Sequence, residues 1–292
     1  MSFISAEQLA TIAAVADAGS FERAGVRLHI STSAVSQRVK ALERAVGQVV
    51  VRRGTPSELT AAGGTLLRYA RQVALLDAEM RVQLAGPQEP GVAIDLPVAV
   101  NADSLATWFP AVFVEAATWH GVRLRLHVDD EEHTAALLRE GVALAAVSTH
   151  ARPVPGCRAV ALAQMTYRPY ARADLLARYT TAGAAPDLTR LPALRYDDKD
   201  DLQHRALRAA GVPTDVAGPR IPNSQAFVAA VRAGLGWGML PTAQVPKGAG
   251  LVPVPGLAAV VRRLYWHRWK LDSPALDRLT DAVVAAARSA DG

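Results

Sequence analysis

The chain has 292 residues, half of them hydrophobic and 20% charged, so it can bury sizeable cores and has room for two domains. Its 32 Lys and Arg against 27 Asp and Glu leave a net charge of +5, which suits a polyanionic partner but is too mild to define one. A single cysteine, Cys157, excludes a disulfide framework and a cysteine zinc cluster, and no apolar run approaches the ~20 residues that cross a bilayer. The expectation is a cytoplasmic protein with no membrane partner and no metal.

Ser5-Ala-Glu-Gln8 has the form of a capping box and opens a helix whose Leu9, Ile12, Ala13 and Ala16 share a face. Gly19 ends it, and Ser20 is placed to cap a second helix with Phe21 and Leu28 inward. After a tight break at His29-Ile30-Ser31, Val35, Val39, Leu42 and Val46 form one apolar stripe of a third helix. Ser33, Ser36, Gln37, Lys40 and Arg44 fall opposite, with Arg38 on the shoulder and Glu43 at the edge. Such a face carries donors and acceptors for base edges and cations for phosphates, as a helix in a DNA major groove requires. The segment 18–60 holds seven Lys or Arg and three Glu, so the positive excess is local. Val49, Val50 and Val51, a turn at Gly54-Thr55-Pro56 and a return at Leu59 read as a β-hairpin wing, with Arg52 and Arg53 near the DNA backbone.

Thr60 can cap a long helix running to about Ala85. Its Leu66, Tyr69, Val73, Leu76 and Met80 are spaced as a short heptad seam for a partner helix. Pro and Gly in 86–91 mark a domain boundary. From Val92 the pattern alternates: strand 92–100, a turn and helix broken at Pro110, strand 122–128, helix 133–139 and strand 142–147. An open α/β sheet follows. A second lobe would contain strand Ala193–Tyr196, helix Asp201–Ala210 and helix Gln225–Ala233. Strand Arg263–Trp269 and helix Ser273–Ala287 would return to the first. The expected division is a DNA-binding domain at 1–60, a linker helix and hinge at 61–91, and an effector domain at 92–292. Its lobes cover about 92–164 with 263–292, and about 165–262.

The run SFERAGVRLHISTSAVSQRVKALERAV (20–46) resembles the helix-turn-helix of LysR-type transcriptional regulators. The segments AVNADSLATWF (99–109), VDDEEHTAALLREGVALAAVST (128–149), NSQAF (223–227) and RRLYWHRWKLDSPALDRLTDAV (262–283) are similar to its LysG/ArgP group. The resemblance implies an α/β protein overall: a winged helix-turn-helix, a dimerising linker helix, and a two-lobed effector domain like periplasmic binding proteins. It implies a homodimer assembling into a homotetramer on double-stranded operator DNA, acting on RNA polymerase at the promoter of an amino-acid exporter gene. A basic amino acid, lysine, arginine or histidine, would be the co-inducer. The DNA-facing set carried over is Ser20, Phe21, Arg23, Ser31, Thr32, Ser33, Ser36, Gln37, Arg38, Lys40, Arg52, Arg53, Pro56 and Thr60. Thr32 departs from the Gln common in this family, so the base read there is not carried over. The alternative within the group is an architectural, replication-inhibiting DNA-binder without exporter control.

A basic amino acid needs a site for its carboxylate and sites for two cations, and open α/β sheets bind ligands beyond the carboxyl ends of their strands. Asn101, Asp103 and Ser104 lie at one such end, where the following helix would favour a carboxylate. Ser148 and Thr149 end another strand, and Asn223 and Ser224 open a helix in the second lobe. Asp103, Asp129, Asp130, Glu131, Asp197 and Asp198 are candidates for the cationic side chain, with Glu132 and Asp200 read as capping or solvated acids. Trp108 and Trp237 can wall the cleft or belong to the core. Enzyme motifs are missing: there is no G-x-S-x-G, no H-E-x-x-H and no phosphate loop, and the glycines at 234, 236 and 238 follow a helix where a dinucleotide site needs a strand.

Overall fold

The computed structural model describes residues 4–52, 54–85, 93–129, 134–181, 184–198, 200–212, 218–246 and 248–290. Ser5 Oγ accepts the Gln8 N–H at 3.2 Å and Gln8 Oε1 accepts the Ser5 N–H at 2.8 Å, so a complete capping box opens α1 (Ala6–Ala18). Gly19, at φ +64°, closes it, and Ser20 caps α2 (Phe21–Leu28). His29 then takes φ +54°, a left-handed conformation uncommon outside glycine, and its N–H returns to the carbonyls of Gly25 and Val26. Ser31 caps α3 (Thr32–Val46). The wing is β1 (Val51–Arg52) paired antiparallel with β2 (Glu58–Leu59).

Leu9, Ile12, Val15, Ala24, Val35, Val39, Leu42, Val50 and Val51 form the core of this head. The following helix, α4 (Ala61–Ala85), belongs to that core through buried Ala70. Gly63 explains the close approach. A Cβ there would stand 2.1 Å from the carbonyl oxygen of Val50, so only glycine lets α4 pass the base of the wing. The heptad reading needs a correction here. Leu66 and Val73 pack against the head core, not along an outer seam. Tyr69, Leu76 and Met80 are exposed and so is Leu84.

The chain continues as β3 (Ile94–Asn101), α5 (Ala102–Ala106), α6 (Pro110–Ala116), β4 (Val122–Asp129), α7 (Thr134–Arg139) and β5 (Ala145–Ser148). Then come β6 (Cys157–Arg172), α8 (Ala173–Arg178), α9 (Leu202–Ala209), α10 (Ser224–Ala233), β7 (Gly238–Pro241), β8 (Leu251–Pro253), β9 (Val260–Trp269) and α11 (Pro274–Ser289). Two compact units result: Met1–Val100 with Glu115–Val160 and Trp266–Asp281, and Asn101–Val114 with Ala161–Tyr265 and Ala282–Gly292. The cut differs from the expected lobes, because 101–114 and the end of the last helix group with the second unit.

In the first unit the strands run β4-β3-β5-β9, with β3 parallel to β5 and Val98 opposite Ala145. Linker helix α4 is fastened to this sheet layer at two points. Glu79, 7% exposed, accepts the Ser273 hydroxyl at 2.7 Å and the Ala275 N–H at 2.9 Å, filling the first turn of α11. Arg68 donates to the carbonyl of Arg139 and lies over the Trp269 ring at 6.0 Å. Gly141, at φ +74°, makes room for it, since a Cβ would come within 2.5 Å of Arg68.

In the second unit β7 and β8 both pair antiparallel with β6, which is itself bordered by β9. The sixteen-residue β6 is not among the predicted strands. The predicted strand Ala193–Tyr196 is instead irregular chain with isolated bridges from Ala193 to Trp237 and from Arg195 to Arg220. Leu194, Phe227, Val228, Val231 and Leu240 make the core between this chain, α10 and β7.

Candidate DNA-binding face and ligand site

On α3 the apolar stripe is turned inward, Val35 and Leu42 fully and Val39 at 3% exposure. Thr32, Ser33, Gln37, Lys40 and Arg44 are exposed and Ser36 is half-buried. Glu43, the one acid of the helix, is used internally: its Oε1 accepts the N–H groups of Val50 at 3.0 Å and Val51 at 3.4 Å, fixing the root of the wing. The outward face is therefore left to hydroxyls, an amide and cations.

The other DNA-facing candidates divide. Ser20 and Ser31 are caps, accepting the N–H of Arg23 and of Ala34. Ser20 also accepts from Arg23 Nε at 3.3 Å and so orients that guanidinium. Arg38 pairs with Glu7 at 3.1 Å. Phe21 packs against the head core, and Thr60 donates to the Val49 carbonyl at 2.7 Å while capping α4. Both residues therefore also serve the scaffold. On the wing, Arg52 and Pro56 are exposed, and Ser57 N–H bonds the Gly19 carbonyl at 2.8 Å, tying the wing to the end of α1. Arg53 lies outside the described residues.

The second unit brings Asp103 and Ser224 together. Ser224 Oγ donates to Asp103 Oδ1 at 2.5 Å, Tyr167 donates to Asp103 Oδ2 at 2.8 Å, and Gln244 Nε2 donates to Ser224 at 2.7 Å. The carboxylate is thus oriented by two hydroxyls whose own places are fixed, Tyr167 being 1% and Ser224 6% exposed. Two further acids share this neighbourhood. Burial pushes the Asp200 carboxyl up; the N–H groups of Tyr196 and Leu202 draw it back, and the negative charges of Asp197 and Asp103 raise it further. A cation placed among them would relieve that repulsion.

Asn101 (1% exposed) and Ser104 (fully buried) offer a second kind of group. Both ends of the Asn101 amide, the Ser104 hydroxyl and the Trp108 indole N–H lack a hydrogen-bond partner among the described residues. Each such group costs ~1–3 kcal/mol unless something satisfies it.

The remaining sequence candidates are placed as follows. The helix after Asn101 has only five residues and Asn101 makes no capping bond, so its dipole gives no carboxylate site. Asp198 is exposed and held by Arg220 at 2.5 Å, which leaves it a surface ion pair. Asn223 Oδ1 is spent on the Ala226 N–H. Trp237 is fully buried, the core alternative of its two readings. Ser148 and Thr149 belong to the first unit, where Ser148 Oγ accepts the His150 N–H at 3.2 Å. Asp130, Glu131 and Glu132 lie outside the described residues, as does the Asp129 side chain. Tyr167 and Gln244 were not legible: they meet Asp103 and Ser224 across 64 and 20 residues of sequence, and no local spacing announces either. No cluster of metal ligands is formed among the described residues, and no described helix is long and apolar enough to cross a membrane.

A helix-turn-helix head with a clean polar outer face, joined by a long helix to an α/β domain holding an organised polar site, defines a ligand-responsive DNA-binding regulator. Residues 6–64 match the bacterial regulatory helix-turn-helix model of the lysR family, and residues 95–288 match the LysR substrate binding domain. The chain belongs to the LysR family of transcriptional regulators, which are not enzymes. It is 49% identical over 286 residues to the lysine export transcriptional regulatory protein LysG of Corynebacterium efficiens, covering 96% of this chain and 97% of that one. It is 39% identical over 289 residues to the transcriptional regulator ArgP of Pseudomonas aeruginosa, covering 97% and 95%. Among solved structures, full-length LysG of Corynebacterium glutamicum with bound effector Arg is similar at TM-score 0.78 and 43% identity, covering 98% of this chain and 99% of that one. ArgP of Mycobacterium tuberculosis is similar at TM-score 0.80 and 43% identity, covering 96% of each chain.

Proposed function

We propose that this regulator senses a basic amino acid, lysine or arginine, and through it controls, as an activator, the promoter of an amino-acid exporter gene. One observation carries the sensing: the Asp103 carboxylate, oriented by Tyr167 and Ser224, sits near Asp197 and Asp200, an acidic setting suited to an ammonium or guanidinium group. Asn101 and Ser104 then supply amide and hydroxyl partners for the polar end of the ligand. The arginine held by the similar C. glutamicum regulator supports the same ligand class.

On the head, Thr32, Ser33, Ser36, Gln37 and Lys40 read the operator, with Arg23 and Arg52 on its phosphates. Exposed Tyr69, Leu76, Met80 and Leu84 form the surface by which two linker helices pair, because two half-sites need two recognition helices at fixed separation. A homotetramer contacting RNA polymerase is the working assembly. Thermal shift with lysine, arginine, histidine and a neutral amino acid tests the sensing. A rise with lysine or arginine and none with the neutral amino acid is expected; no rise with any basic amino acid contradicts it.

A further inference from the structure

Asp17, near the end of α1, is the meeting point of three arginines from three parts of the first unit. Arg27 of α2 reaches its Oδ2 at 2.7 Å, Arg71 of linker helix α4 holds its Oδ1, and Arg125 of effector-domain strand β4 reaches Oδ2 at 3.1 Å. The Asp17 side chain is only 12% exposed. Arg125 spans two carboxylates, its other nitrogen lying 3.5 Å from Asp95 of β3, which Arg123 also grips at 2.9 Å. Among the described residues, His127 on the same strand has an Nε2 without a hydrogen-bond partner, and so does the Nε of Arg71.

We propose that Asp17 is a latch that joins the DNA-binding head to the effector domain of the same chain, and that Arg125 is its effector-side bolt. Three observations support this. The geometry is specific, since three cations on different elements share one carboxylate. The node is close to the DNA-facing parts: two residues on, the Gly19 carbonyl accepts the Ser57 N–H of the wing, and Ser20 orients Arg23. The bolt is on β4 (Val122–Asp129), the strand that in the sequence leads into the acidic run 129–132. A displacement of β4 along its axis changes the Arg125–Asp17 contact directly, while Arg27 and Arg71 keep Asp17 attached to the head. One arginine then reports on the effector domain and two hold the reporter in place. Both ends of the latch bias one two-state contact, which is the requirement for coupling between sites. Transmission of an amino-acid signal through it rests on the sensing reading above; the latch itself does not.

The test uses full-length protein carrying Arg125→Gln, Asp17→Asn, or both. Arg125 is one-third exposed, so its loss leaves the fold standing even if Asp17→Asn, which strands three guanidiniums, does not. Hydrogen exchange without any ligand reads the latch: Arg125→Gln is expected to raise exchange in the last turn of α1 and in β4. Unchanged exchange in both segments overturns the latch. Operator affinity with and without arginine reads transmission: the ligand-dependent ratio is expected to fall by about 5-fold or more in Arg125→Gln, the low end of ordinary allosteric coupling. The double variant is expected to fall no further than the worse single one. A parental ratio, or full additivity of the two changes, overturns transmission. If the parent protein shows no thermal shift with lysine or arginine, the sensing reading fails instead, and the exchange result still decides the latch.

Discussion

Replacing Glu79 by alanine removes the acceptor that holds the start of α11 against the linker helix. Two donors, the Ser273 hydroxyl and the Ala275 N–H, lose their partner in a buried place. Orphaning buried donors costs ~1–3 kcal/mol each, and the one methylene lost beyond Cβ adds ~0.8 kcal/mol. Against this, the desolvation cost of keeping a charge at 7% exposure is returned, several kcal/mol in real proteins. The net expected loss is about 2–4 kcal/mol, or roughly 5–15 °C in the unfolding of a domain of this size. Glu79→Gln keeps the Oε1 acceptor and both bonds, so it is expected to lose about 1 kcal/mol, the difference between a charged and a neutral acceptor. Urea midpoints of the three proteins give the ranking, and hydrogen exchange at the Ala275 amide gives the place. An Ala275 amide as protected in Glu79→Ala as in the parent, or a glutamine variant as unstable as the alanine one, would refute this account of the linker anchor.

Gly63→Ala is expected to cost stability even though alanine is the better helix former, because its Cβ would meet the Val50 carbonyl at 2.1 Å; a higher melting temperature would refute the close approach. Burial lowers the basicity of His127, helped by Arg71 and Arg125 against the opposite pull of Asp17, and burial likewise lowers His267, whose ring nitrogen bonds the His150 carbonyl at 2.7 Å. Each takes up its proton at lower pH in the fold than in the unfolded chain, so stability falls as pH drops through and below the ordinary histidine value of about 6.5. His127→Gln should flatten part of that fall in a melting series, and an unchanged slope would refute its lowered basicity in the fold. Gln37→Ala should weaken operator binding far more than binding to random DNA, whereas Arg52→Ala should weaken both and reduce the salt dependence; the reverse pattern in anisotropy titrations would sink the division of roles.

The head was legible because its determinants are local. The Ser5–Gln8 capping box and the spacing of Val35, Val39 and Leu42 act within one or two turns; the structure forms the box and buries the three apolar side chains. The linker stripe was half legible: periodicity shows that Leu66 and Val73 pack against something, but not that the covering surface is the chain's own head, where both are partly buried. Strand β6 escaped because Pro169 interrupts its pattern and its neighbours β7 and β8 lie some 70 residues on. Asp103 was singled out from its place at a strand end. Its partner Tyr167 and the Asp17 latch depend on residues 64, 54 and 108 positions apart, a separation that no window of sequence contains.

The central claim is that Asp103 organises recognition of a basic amino acid that in turn controls operator binding. It is tested most directly by titrating an operator fragment with the parent protein and with Asp103→Asn, each with and without saturating arginine or lysine. Asparagine keeps one acceptor for the hydroxyls of Ser224 and Tyr167 but removes the charge, which in a charge-assisted bond is worth ~1–3 kcal/mol and hence about 5- to 150-fold in ligand affinity. The account predicts a ligand-dependent change in operator affinity for the parent that needs far more amino acid in the variant, with operator binding in the absence of ligand unaltered. An Asp103→Asn protein that responds at the same amino-acid concentration as the parent would contradict it.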